Sequence, residues 1–228
     1  SAFELSTSKG LVPANARVIE NGVDLNRFCP MPRNEALARE YGLDGGQTFC
    51  FGSCAGTSRY KRVDTIIDAA VRVKRESADK FKILVLGDAP SGRELQELAA
   101  AKGVDEFVYC GSRDDVVPYI SLFDAGFVLS DSIETISFAA REMMAMGKPL
   151  ISSSFSGLSE NVRHGSNGFL VQPGNAGEDA LAMRHFLAMD KETLQQHSRN
   201  ARVFAVGSFG IARQQGAHAL LYERITRP

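Results

Sequence analysis

Six short apolar runs set the terms for this chain. They read "TFCFGSCAG" from Thr48, "FKILVLG" from Phe81, "EFVYCG" from Glu106, "AGFVLS" from Ala125, "PLISSS" from Pro149 and "NGFLVQP" from Asn167. They lack the polar alternation of a strand with one wet face, so each reads as a strand buried on both sides. Between them lie stretches with helical spacing. In "KRVDTIIDAAVRVKRES" the apolar positions are Val63, Ile66, Ile67, Ala70 and Val71. "SGRELQELAAAKG" is a helix closed by Gly103, "RDDVVPYISLF" a short helix with Pro118 near its start, and "TISFAAREMMAMG" a helix stopped by Gly147. Three more helical stretches follow, over 175–189, 191–205 and 208–226. Buried strands alternating with helices predict an α/β fold. The expected architecture is a doubly wound, Rossmann-like parallel sheet of about six strands with extra C-terminal helices. Such a sheet binds ligands beyond the carboxyl ends of its strands, where the strand order reverses.

The rest of the sequence bounds the function. A chain of 228 residues with 44% apolar content can bury a sizeable core, and its net charge of -1 gives no reason to expect a nucleic-acid partner. Cys29, Cys50, Cys54 and Cys110 lack the spacing of a metal site or disulfide scaffold, and are expected to be buried, reduced thiols of a cytosolic protein. No apolar run approaches the ~20 residues of a membrane span, and no signal peptide is visible. Residues 1–47 read as irregular. There "ARVIENGV" offers a short strand followed by a turn at Asn21-Gly22, and Pro30 and Pro32 argue for an extended connector. Met143, Met144 and Met146 read as core packing, and the four histidines show no metal-like spacing.

The chemistry gathers in "SDSIETISFAAREMMAMGKPLISS", from Ser130 to Ser153, where Glu134 and Glu142 are separated by seven residues. A helix starting near Ile136 leaves the amides of Ile136, Ser137 and Phe138 unpaired at a positive dipole end, which suits a phosphate. Ser132, Thr135 or Ser137 could instead cap that helix. Glu142 lies about two turns on, ~9–12 Å along the axis, too far for the same phosphate but placed for a sugar's hydroxyls. An anion-binding helix start with two carboxylates reads as a site for a sugar joined through a diphosphate to a nucleoside.

The same stretch, with "GLSENVRHGSNGFLVQPGN" after it, resembles the nucleotide-sugar site of retaining GT-B glycosyltransferases of the group 1 (family 4-like) type. "VIENGVDLNRFCP" is similar to that family's domain-linking segment, "YKRVDTIIDAA" to its lysine-bearing helix start, and "VLGDAP" to its Gly-Asp-Gly-Pro loop with Ala89 for the second glycine. The matches cover nearly the whole chain in order. The resemblance implies that Lys61 binds the donor's diphosphate and stabilises it as it leaves, that Glu134 holds hydroxyls of the donor sugar, and that Glu142 binds the ribose. It also implies that Gly111, Ser112 and Arg113 lie against the base. The family's arginine five residues before the lysine is replaced by Gly56, and Arg59 is the candidate substitute.

No Asp-x-Asp occurs, so the resemblance implies a metal-independent enzyme with no cofactor and a UDP-, GDP- or similar nucleotide-sugar donor. It further implies that 1–30 is an interdomain linker and 31–207 the nucleotide-sugar-binding domain. Residues 208–228 would then form a helix that packs back on an N-terminal acceptor domain absent from this chain. The expected location is the cytoplasm or the inner face of the membrane, with membrane association made through the absent half. The alternative reading is a nucleotide-sugar-binding module or epimerase-like domain of the same fold without transferase activity.

Overall fold

The computed structural model describes residues 10, 16–43, 45–132 and 134–226. Expectations that fall on the remaining positions, including most of the first fifteen residues and the last two, lie outside the described residues. Six strands form one sheet: β1 (Phe49–Ser53), β2 (Phe81–Leu86), β3 (Phe107–Gly111), β4 (Ala125–Val128), β5 (Leu150–Ser153) and β6 (Gly168–Val171). All neighbouring pairs are parallel, and the order across the sheet is β3-β2-β1-β4-β5-β6. The helices are α1 (Glu35–Glu40), α2 (Val63–Glu76), α3 (Ser91–Ala101), α4 (Val117–Leu122), α5 (Phe138–Ala145), α6 (Ala176–Leu187), α7 (Lys191–Ser208) and α8 (Ile211–Thr226).

Successive strand residues feed opposite faces of the sheet, and this splits the interior into two cores. Leu84, Leu86, Cys50 and Leu150 join α4, α5 and α7 on one face. Ile83, Val85, Phe51 and Ile151 join α2, α3 and α6 on the other. Burial on both faces is why the strands read as continuous apolar runs. Met143, Met144 and Met146 are fully packed in the first core. Of the cysteines, Cys50 and Cys110 are buried while Cys29 and Cys54 are half-buried, and all four are free thiols.

Three expectations for the N-terminal region need correction. Residues 35–40 form α1, which starts on the Asn34 side chain accepting from the Leu37 amide at 3.1 Å. Six residues are too few to print a helical period on the sequence. The strand expected before Asn21-Gly22 is absent, and only Val23 forms an isolated parallel bridge, to Gly210. Nor does the chain turn at Asn21-Gly22. Gly22 is there because the segment runs against α8, where a Cβ would collide with the Ile211 backbone.

The C-terminal crossing is fastened to this segment. The Val23 amide donates to Phe209 O at 2.7 Å, and the Ile211 amide donates to Val23 O at 3.1 Å. Gln214 accepts from the Gly22 amide at 2.8 Å. Arg141 of α5, only 1% exposed, donates to Asn21 O at 2.6 Å and to the Glu20 carboxylate at 2.8 Å, with its guanidinium 4.3 Å above the Phe209 ring.

Candidate donor site at the switch point

The strand order reverses direction between β1 and β4. β1 leads to α2 on one face and β4 leads to α5 on the other, so the loops after them part and leave a crevice. The loop after β1 ends in a 3-10 turn, Arg59–Lys61, and Arg62 then takes a left-handed conformation with φ 45° before entering α2. That conformation is uncommon for a side-chain-bearing residue. Here it is held by ion pairs from Arg62 to Asp64 at 3.0 Å and to Asp131 at 2.8 Å. Asp131 lies in the loop after β4, and its amide donates to Tyr60 O at 3.2 Å.

A further bond joins the same two loops. The Lys61 ammonium donates to the Glu134 carboxylate, with the side chains only 12% and 9% exposed. The structure therefore brings together the two residues expected to be catalytic, from segments 73 positions apart. The lacing partners Arg62 and Asp131 were missed. Their signal is that they carry opposite charges, with Arg62 one residue after Lys61 and Asp131 three before Glu134.

The helix start differs from expectation. The helix begins at Phe138 rather than near Ile136, and of the three hydroxyls expected as caps it is Ser137 that serves, accepting from the Ala140 amide at 3.3 Å. The Arg141 amide donates to Ser137 O at 3.2 Å. The first-turn amides left for a ligand are those of Phe138 and Ala139, while Ile136 belongs to the preceding loop. The Phe138 side chain is 48% exposed at this mouth. Gly157 supports the loop from behind, since a Cβ there would meet the Thr135 carbonyl.

Glu142 is half-buried on α5, and its carboxylate makes no hydrogen bond among the described residues. Burial pushes its pKa up, and the nearby Arg27 guanidinium opposes that shift. Arg27 itself pairs with Asp115 at 3.2 Å, in the loop after β3. Gly111, the last residue of β3, has φ 79°, and Ser112 and Arg113 just after it are exposed. Arg113 folds back, donating to Cys110 O at 3.0 Å with its guanidinium 5.3 Å from the Tyr119 ring.

Arg59 is not brought to the Lys61–Glu134 pair. It lines a cavity of about 770 Å³ with Ser58, Tyr60, Glu94, Leu95, Leu98 and Asp131, a lining that includes neither Lys61 nor Glu134. Gly56 has φ 91°, so an arginine at that position would be strained.

This arrangement can hold an anion against Lys61 and the α5 amides while carboxylates take up hydroxyls nearby. The sequence profile of the family described as "Glycosyl transferases group 1" matches residues 47–189. The chain belongs to this family. It is 28% identical to a D-inositol 3-phosphate glycosyltransferase of Geodermatophilus obscurus, over 90% of this chain and 47% of that protein. Among solved structures, the HepE protein of Anabaena in complex with UDP-glucose superposes with a TM-score of 0.79. It is 26% identical, covering 90% of this chain and 57% of HepE. The C-terminal domain of the group 1 protein LpcC from Francisella tularensis, 20% identical, shares the fold, with a TM-score of 0.71, covering 83% of this chain and 100% of that domain. The group 1 chain described here thus spans about half the length of the curated relatives it matches. Among the described residues, no helix is long and apolar enough to cross a membrane.

Proposed function

We propose that this group 1 chain is the donor-binding C-terminal domain of a retaining GT-B glycosyltransferase. The observation that carries the reading is the Lys61–Glu134 pair across the switch point, with the unpartnered Glu142 carboxylate on the adjoining helix. In this reading Lys61 and the Phe138 and Ala139 amides receive the diphosphate of a UDP-, GDP- or similar nucleotide-sugar. The charge on the departing diphosphate grows as the glycosidic bond breaks, so a fixed cation there favours the transition state more than the ground state. Glu134 turns to hydroxyls of the donor sugar, Glu142 accepts from the ribose, and Gly111, Ser112 and Arg113 border the base. We leave Arg59 out of this set, because the cavity it lines includes neither Lys61 nor Glu134. Lysine and amides supply the neutralisation, so we propose that the site works without a metal or cofactor. HepE, which was solved with UDP-glucose, supports the donor class.

We place the acceptor on a second domain outside this chain. Supporting this, α8 has no buried residue among those described and exposes Leu220, Tyr222 and Ile225 at 64%, 62% and 67%. The described part of 208–228 is then the helix that meets that domain, 31–207 the donor domain, and the described part of 1–30 the linker. We place the reaction in the cytoplasm, with any contact at the inner face of the membrane made by the absent half.

Calorimetric titration of the chain with UDP and GDP, in EDTA, tests the reading. One of them is expected to bind, and Lys61→Ala is expected to weaken it ten- to a hundredfold, the effect of one charge-assisted contact of ~1.5–3 kcal/mol. Binding that vanishes on chelation and returns with Mg²⁺ or Mn²⁺ would overturn the metal-free assignment.

A further inference from the structure

We propose that Asp179 is a proton-operated switch on the donor crevice, acting through Thr65 and Arg62 on the turn that carries Lys61. Its bearing on nucleotides rests on the donor reading above. Asp179 lies in the first turn of α6 and is 1% exposed. Both of its carboxyl oxygens are buried without a hydrogen-bond partner among the described residues. A carboxyl so placed is stable only while it keeps its proton. Burial accordingly raises its pKa from 3.8 to about 7, so the proton is lost near neutrality.

Helix α6 packs on α2, β5 and β6, and neither strand carries a titratable residue. The charged groups facing Asp179 are Arg62 and Asp64 at the start of α2, and Glu178 on its own helix. Glu178 is engaged, accepting from the Gln172 amide at 2.7 Å and the Asn175 side chain at 3.0 Å. Asp64 holds the Arg62 guanidinium at two points, at 3.1 and 3.0 Å. The neighbouring Thr65 hydroxyl has a single hydrogen, which it donates to Arg62 O at 2.9 Å. Thr65 is itself only 3% exposed. Arg62 is the left-handed residue between Lys61 and α2, and through Asp131 it fastens the loop after β4. While Asp179 is protonated it can donate to the Thr65 oxygen, and Thr65 keeps its bond to Arg62 O. Once ionised, Asp179 only accepts. It then turns the Thr65 hydroxyl away from Arg62 O and draws the Arg62 guanidinium off Asp131. The two loops lose a tie, and the Lys61 turn loses its preorganisation for a diphosphate. Donor affinity is therefore full below the pKa of about 7 and falls as pH rises through it.

The experiment has two readouts on the 228-residue chain, each taken from about pH 6 to about pH 8.5. One is calorimetry with UDP-glucose and GDP-mannose, whose esterified diphosphates do not titrate in that range. The other is hydrogen exchange of the ligand-free chain over residues 58–65 and 130–132, read at each pH against Asp179→Asn. Affinity for the sugar nucleotide that binds is expected to fall about tenfold across the range, which is one unit of linked pKa shift. Exchange in both segments is expected to quicken relative to Asp179→Asn. That variant, whose amide donates to Thr65 without titrating, is expected to keep the low-pH affinity throughout. Thr65→Val, which lacks the hydroxyl, is expected to bind weakly at every pH. Three results overturn the proposal: a flat affinity profile in a chain that binds, exchange that is the same in the chain and in Asp179→Asn, or a pH dependence that survives Thr65→Val and so acts through space. The expected exchange in a chain that binds neither sugar nucleotide at any pH leaves the switch on these loops standing and sinks the donor reading instead.

Discussion

At the residue scale, the Lys61–Glu134 pair makes a prediction with opposite signs for its two members. In this structure the Lys61 ammonium is satisfied by the Glu134 carboxylate. A diphosphate has to share that cation with Glu134 or displace it, against like-charge repulsion. Lys61→Ala therefore weakens nucleoside diphosphate binding, whereas Glu134→Gln, which keeps the shape and removes the charge, is expected to tighten it about tenfold. Equal weakening by both variants in calorimetry would show the pair to be a structural tie.

A second residue-scale prediction concerns Asp179. It is buried against α2, both carboxyl oxygens lack a hydrogen-bond partner among the described residues, and burial pushes its pKa from 3.8 to about 7. The neighbouring Thr65 hydroxyl, which in this structure donates to Arg62 O instead, and Arg62 oppose the shift, while Glu178 and Asp64 push the same way as burial. The folded chain thus holds a proton that the unfolded chain releases. This group's stabilisation is complete below pH 3.8 and is lost as pH rises to about 7. Asp179→Asn is expected to flatten that slope and to raise stability at pH 8 by about 1–3 kcal/mol in urea unfolding.

The sequence singled out Glu134 and Glu142 by their spacing and neighbours and Lys61 by its resemblance, but it could not orient Arg59. A 3-10 turn has three residues per turn, so side chains two apart point in different directions. Arg59 and Lys61 are neighbours along the chain, yet Arg59 lines a cavity that Lys61 does not.

At the element scale, the strands were legible because a sheet covered on both faces admits only apolar runs. The helices were legible because each keeps one apolar stripe. Their ends were less so. Several hydroxyls near Glu134 suit an N-cap, and backbone geometry alone selects Ser137. Arg141 was invisible in the same way. It sits in an apolar helix face, and its partners, Asn21 and Glu20, lie 120 and 121 residues away. Truncating it leaves the Asn21 carbonyl without its donor and opens a void over Phe209. Arg141→Ala is expected to destabilise the chain by about 3–5 kcal/mol in urea unfolding. Hydrogen exchange should speed up first in residues 20–23 and 209–214. A change below about 1 kcal/mol would mean that α5 is not what anchors the linker.

At the scale of the whole molecule, the strand order could be anticipated only as a class, because sequence distance does not say which strands adjoin. The observed order puts β1 beside β4, and this brings Lys61 to Glu134. In our reading the molecule has a donor crevice and no complete acceptor surface. Bringing donor and acceptor into register contributes ~7–11 kcal/mol to such reactions. The isolated chain is therefore expected to bind nucleotide yet transfer no sugar above background. A radiolabelled transfer assay with the purified chain checks this, and robust turnover would refute the two-domain reading.

The joint at Val23 and Gly210 has one more consequence. The backbone comes into the packed body and goes out of it at adjacent points, bound by the amides of Val23 and Ile211. A body with a single seam is a cassette. In our reading, exchanging it for the same body of a group 1 relative has to match that seam and the α8 face at Leu220, Tyr222 and Ile225. Donor preference could then change hands in one recombination event while the machinery for choosing an acceptor stays where it was.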